Sequence, residues 1–261
     1  FLQTVAGSSA LSAYGISRSL AAGTDETRPV NQDIANAASN AELADLFHGT
    51  TAKAARSWHD QFAARLATLL GDFEPPKGFR TEVEQTVKFK DHTRFSLLLH
   101  SVGLPSLPLY LLIPTAVDKG HPAPAVLCVH GHGEHGHHPI VGRTDIAGVP
   151  ESIAKANYDY GLQFVRRGYV VAAPCMIPFG RRLDRQRYGK TDPCAISFVR
   201  MQALGQLPIS ANVRDLRWAI SLLQSRPEVQ GGRIGCAGLS YGGRMTMMVS
   251  ALDSRIKVAS I

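Results

Sequence analysis

A chain of 261 residues, 44% of them hydrophobic and 19% charged, carries enough apolar side chain for one sizeable core and excludes an intrinsically disordered protein. The net charge of +7 is spread along the chain and not interleaved with aromatic residues, which argues against nucleic acid as a partner. Beyond the N-terminal region no stretch reaches the roughly 20 apolar residues of a membrane span.

Residues 1–24, beginning "FLQTVAGSSALSAYGISRSLAAG", are rich in small and apolar residues and free of acids until the polar "TDETRPVNQD" that follows. The stretch resembles the part of a twin-arginine export signal that follows the arginine pair. It predicts a periplasmic or extracellular protein, the alternative being an ordinary N-terminal helix of a cytoplasmic one. Residues 25–74 form an N-terminal helical segment. Within it Ala54, Trp58, Phe62, Ala63, Leu66, Leu69 and Leu70 recur at helical spacing and predict an amphipathic helix over 51–71, stopped by "PPKG".

From residue 75 onward the pattern is that of one α/β domain. "TRFSLLLHS" and "LPLYLLIP", separated by the turn-prone "VGLPS", predict an antiparallel strand pair. A buried strand follows over 124–130, then a helix over 151–167 and a buried strand over 169–174. A helix begins near Ser210 as N-cap and buries Val213, Leu216, Ala219, Ile220 and Leu223. Strand "RIGCAGL", a helix over 242–252 and the strand "IKVASI" complete the order. Buried strands alternating with amphipathic helices imply a mostly parallel sheet with helices on both faces, whose reactive groups gather at the carboxyl ends of the strands.

The four cysteines form no CxxC pair. Cys128 and Cys236 lie in apolar runs and read as small buried residues, whereas Cys175 and Cys194 fall in predicted loops and would be available for a disulfide in an exported protein.

The chemistry centres on "GLSYGG". Gly238, Ser240 and Gly242 have the Gly-X-Ser-X-Gly spacing of a nucleophile elbow, with a strand before and a helix after. Small residues two positions either side let the serine occupy a strained turn and project its hydroxyl from the sheet. The Tyr241 amide then lies at a helix N-terminus, where it can donate to an oxyanion. "HGHGEH" at 130–135 ends an earlier strand, and its glycines allow a second donor, the backbone N–H of His132. Cys128, His130, His132, His135, His137 and His138 have metal-ligand residue types. Alternate residues at a strand end do not converge on one ion without a distant partner, so no metal is expected, and His135, His137 and His138 read as solvated loop histidines. "FGRRLDRQRYGK" carries Arg181, Arg182, Arg185 and Arg187, either forks for a substrate carboxylate or a solvated loop balanced by Asp184.

"HGHG", "YDYGLQFVRRGYVVAAP", "SRPEVQGGRIGCAGLSYGG" and "ALDSRIKVASI" resemble the α/β-hydrolase superfamily, in particular bacterial acetyl xylan esterase and dienelactone hydrolase-like esterases. The resemblance covers residues from roughly 75 to 261 and implies an α/β-hydrolase fold. It also implies hydrolysis of small-molecule or carbohydrate esters through an acyl-enzyme, without a cofactor: Ser240 attacks, a histidine takes its proton, a carboxylate orients the histidine, and two amides hold the oxyanion. Arg182 would be substrate-binding, since the Phe-Gly-x-Arg turn lies near the pocket in related esterases. Cys175 departs from the aspartate usual at that position. In the superfamily the acid and histidine follow the serine, so both are expected beyond Ile261. The chain then reads as truncated at both ends, lacking its C-terminal strands, with His130 or His132 the resident substitutes. A prolyl-oligopeptidase-like peptidase would share the elbow, but residues 1–75 cannot hold that class's propeller. A non-catalytic binding protein on the same fold is the third reading. The oligomeric state is left open.

Overall fold

The computed structural model describes residues 30–184 and 189–261. The export-signal reading of residues 1–24, and Arg185 and Arg187, lie outside the described residues. The chain divides into two units, Phe1–Trp58 and His59–Ile261.

In the first unit, α1 (Val30–Ser39) is a helix without a buried residue, which is why no apolar periodicity announces it. The start of α2 (Ala52–Leu70) follows, its Ala54 amide capped by the Thr51 hydroxyl at 3.1 Å. Trp58 packs 5.5 Å from the Phe47 ring, and its Nε1 donates to the Asp45 carbonyl at 2.9 Å.

In the second unit the rest of α2 turns Leu70 into the core, with Leu66 and Ala67 packed beside it. Leu69, predicted on the same face, points outward and is 67% exposed. Next come β1 (Arg80–Lys88), β2 (His92–His100), β3 (Leu107–Pro114), β4 (Ala123–Val129), α3 (Val149–Ala156), α4 (Tyr160–Arg166) and β5 (Val170–Pro174). The chain continues through α5 (Pro193–Ala203), α6 (Pro208–Ser225), β6 (Val229–Gly238), α7 (Tyr241–Leu252) and β7 (Ile256–Ser260).

The strands form a mixed sheet of order β1-β2-β3-β5-β4-β6-β7. The first three strands and β5 pair antiparallel, as predicted for β2 and β3, and β5, β4, β6 and β7 pair parallel. Parallel strands buried on both faces need continuous apolar runs, and β5 is buried along its whole length. One face is covered by α6 and α7 through Val213, Leu216, Trp218, Ile220, Leu223, Met245 and Val249. The other is covered by Ile140, Val141 and Val165, with Leu162 and Phe164 of α4 packed against them. Helices therefore lie on both faces, as the alternating pattern requires.

Four local readings are corrected. The edge strand β1 escapes the pattern because it is exposed almost throughout. The helix predicted over 151–167 is two helices, broken where Asn157 takes a left-handed conformation at φ 50°. Ser210 is not an N-cap: α6 starts at Pro208, and the buried Ser210 hydroxyl donates to the Leu70 carbonyl. Cys194 belongs to a helix, not a loop. Asp192 caps α5 by accepting from the Cys194 amide at 2.9 Å, with Pro193 opening the helix, a signal that "DPC" carries.

Candidate active site

Ser240 sits between the end of β6 and the start of α7 with φ 58° and ψ −120°, in a region that side chains rarely enter. The turn closes through the Gly242 amide to the Leu239 carbonyl at 2.9 Å, and α7 begins with the Arg244 amide bonding the Ser240 carbonyl at 3.1 Å. Both glycines are required sterically. A Cβ on Gly242 would stand 2.0 Å from the Val129 carbonyl oxygen, and one on Gly238 would stand 2.3 Å from the Gly242 carbonyl oxygen. The elbow is thus wedged against the end of β4, and Ser240 itself is exposed.

The loop after β4 meets the elbow through Gly131, where a Cβ would lie 2.8 Å from the Leu239 carbonyl oxygen and 3.2 Å from Ser240 Cβ. The Gly131 amide is taken by the Tyr158 hydroxyl. The amides of His132 and Tyr241 have no acceptor among the described residues. The His132 ring lies 4.8 Å from that of Tyr241 and 5.2 Å from that of Phe179, placing the two predicted donor residues side by side.

His130 is fully buried. Its Nδ1 lies 2.8 Å from the Gly131 carbonyl, and its Nε2 accepts from the Met176 amide at 2.9 Å. An Nε2 that accepts carries no proton, so the ring is the neutral Nδ1–H tautomer, and burial pushes its pKa down to about 4. With both nitrogens engaged, His130 ties β4 to the loop after β5 and is not a free base.

The loop after β5 is built by residues that sequence reasoning missed. Asn212, buried on α6, accepts from the Ile177 amide at 2.8 Å and donates to the Ile177 carbonyl at 2.9 Å and the Tyr241 hydroxyl at 3.1 Å. One carboxamide therefore orients both the loop and Tyr241, the residue after Ser240. Asp215, one helical turn along and 1% exposed, pairs with Arg182 at 2.6 Å and with Arg214 at 3.0 Å. The only sequence signal was polar Ser210, Asn212 and Asp215 interrupting an apolar helix face.

Other groups stand elsewhere than predicted. Arg182 is neither solvated nor open: its guanidinium is held by Asp215 and the Cys175 carbonyl. Arg181 pairs with Glu84 of β1. Cys175 and Cys194 are free thiols, so no disulfide joins them, and the buried Cys175 thiol donates to the Phe179 carbonyl at 3.2 Å. That bond holds the turn after β5. His137 is buried against the Tyr110 ring at 4.6 Å, and His138 Nδ1 meets the Tyr110 hydroxyl at 3.0 Å, so neither is a solvated loop histidine. Among the described residues no group of three or more His, Cys, Asp or Glu side chains stands together as a metal site.

Beside the elbow lies a pocket of about 300 Å³ bounded by His132, the Ile177–Phe179 turn, α5, the start of α6 and Tyr241. No helix among the described residues is long and apolar enough to cross a membrane.

A mixed sheet, parallel from β5 through β4 and β6 to β7, with helices on both faces and a positive-φ serine between two obligatory glycines, has the architecture of the α/β-hydrolase fold. Residues 135–261 match the dienelactone hydrolase family. The chain is similar to a Bacillus subtilis (strain 168) protein named as a hydrolase, YtaP, with 31% identity over 198 residues, covering 74% of this chain and 60% of the relative. Among solved structures it resembles a Bacteroides fragilis protein named as an acetyl xylan esterase, with a TM-score of 0.70 at 18% identity, covering 90% of this chain and 61% of that one. A glucuronoyl esterase from Solibacter usitatus shares the fold with a TM-score of 0.54 at 18% identity, over 80% of this chain and 59% of that one. The chain thus spans about three fifths of the length of these relatives.

Proposed function

We propose that this protein is a serine hydrolase of small carboxylic esters that works through an acyl-enzyme. The observation that carries the reading is Ser240 at φ 58°, held between glycines that admit no Cβ and facing the Gly131–His132 loop. The Ser240 oxygen adds to the ester carbonyl carbon, and the carbonyl oxygen takes the negative charge. The His132 and Tyr241 amides donate to that oxygen. The carbon–oxygen bond to the alcohol then breaks, and the serine proton leaves with the alcohol by way of a general base. Water repeats the sequence on the acyl-serine and releases the acid. No cofactor enters this scheme. The similarity to proteins named as acetyl xylan and glucuronoyl esterases makes carbohydrate esters a reasonable first class to assay.

Ser240 makes no hydrogen bond to a histidine among the described residues, and His130 has both nitrogens engaged. We therefore do not assign the general base to His130. The test is labelling by a fluorophosphonate, which reacts with a base-activated serine. The full-length protein should label and hydrolyse esters, and Ser240→Ala should abolish labelling and lower kcat by about a millionfold. Labelling at a residue other than Ser240 would overturn the reading.

A further inference from the structure

The pocket beside Ser240 has a chemical character of its own. Its walls are mainly the apolar groups of Ile177, Phe179, Phe198, Ile209 and the Tyr241 ring, with His132 at the side of the oxyanion loop. The Tyr241 hydroxyl already accepts from Asn212, so that residue presents its ring to the space. The His132 ring lies against Tyr241 and Phe179, which leaves Ser197 as the remaining hydroxyl of the wall. A sugar placed here would give up hydrogen bonds to water for very few in return, whereas an apolar group would lose nothing and bury surface.

Size narrows the occupant. The pocket measures about 300 Å³. A dry apolar cavity of roughly 150 Å³ holds benzene, so this one has room for a ring and a short arm, and an acetyl group leaves most of it empty. Phe198 on α5, 48% exposed, supplies a further aromatic face for such a ring to cover.

Position ties the pocket to the reaction. Tyr241 directly follows the nucleophile, and both residues whose amides face the oxyanion, His132 and Tyr241, contribute to the wall. A group seated in the pocket is therefore within reach of an ester carbonyl at Ser240. We infer that the pocket takes an apolar group of about the size of an aromatic ring, carried on either the acyl or the alcohol side of the ester; this rests on the hydrolase reading above. The protein would then prefer esters of aryl-alkyl acids or alcohols over simple acetates, with any sugar hydroxyls left outside the pocket.

The experiment compares three alkyl esters on the full-length protein by pH-stat titration: methyl acetate, methyl 3-phenylpropanoate and 2-phenylethyl acetate. All three have alkanol leaving groups, so differences in kcat/KM report binding more than leaving-group chemistry. One of the two phenyl esters should exceed methyl acetate by about 10-fold or more, and which one does so assigns the pocket to the acyl or the alcohol side. Ala195→Trp, which fills the pocket from α5, should bring that ratio down toward one. Hydrolysis of all three esters with equal kcat/KM would overturn the pocket assignment and leave the hydrolase standing. A ratio untouched by Ala195→Trp would also overturn it. If none is hydrolysed and Ser240 does not label, both inferences fall together.

Discussion

Gly242 shows how little freedom single positions at the site possess. Its missing side chain lets the first turn of α7 approach within contact of the carbonyls of Val129 and His130, where a methyl group would overlap both. Gly242→Ala must push α7 away from β4 or distort the turn that carries Ser240. The expected outcome is a loss of about 3 kcal/mol or more in urea unfolding, together with loss of fluorophosphonate labelling. A variant of unchanged stability and full labelling would show that the elbow is looser than described. The elbow was legible in the sequence because Gly238, Ser240 and Gly242 are neighbours, so their spacing is itself the geometry. Asn212 was not legible: its partners Ile177 and Tyr241 stand 35 and 29 positions away, and no local pattern reports such a meeting.

Among the secondary elements, the periodic ones were read and their fastenings were not. Helix α7 and strand β7 follow from their apolar patterns, but the joint between them is Asp253, which is buried and receives Arg217 from α6 at 3.2 Å and Arg255 at 2.5 Å. Burial alone would raise the Asp253 pKa, but the hydrogen bonding and charge of Arg255, with the charge of Arg217, hold it below the ordinary carboxylate value. A carboxyl depressed in the folded state adds stability above its unfolded pKa and loses it as pH falls through the folded one. Asp253→Asn should therefore destabilise the protein at pH 7 by about 2 to 3 kcal/mol, with the difference from wild type shrinking at acid pH. Urea titrations at pH 7 and pH 3 check both halves of that statement. β1 went unread for the opposite reason: an exposed element buries no face, so it imposes no period on its residues.

Across the whole molecule, stability should respond to mild acid. His130 and His138 both have pKa values lowered from 6.5 to about 4, chiefly by burial, with the nearby Arg143 adding to the effect on His138. Between those values the unfolded chain binds protons that the folded chain refuses, so stability falls as pH drops from about 6.5 and continues to fall until about 4. For the fully buried His130 alone, the loss from pH 7 to pH 5 should be about 2 kcal/mol. His130→Gln should flatten the curve over this range by that amount, and a wild-type stability unchanged from pH 7 to pH 5 would contradict the neutral, buried ring.

The sequence by itself determined the alternation of buried strands and amphipathic helices, the α/β class, and the identity of Ser240 with its two glycines. Each of these is written in residues a few positions apart, where backbone geometry and hydrophobic period act directly. Only the tertiary structure decided that His130 is a neutral tie and not a base, and that Arg182 belongs to Asp215. It alone decided that Cys175 is a free thiol bracing a loop, and that an apolar pocket opens beside the Ser240 turn. The reason is physical: protonation, pairing and cavity shape depend on what each side chain meets across the fold, and strands β4, β5 and β6 bring together residues that are far apart in the chain.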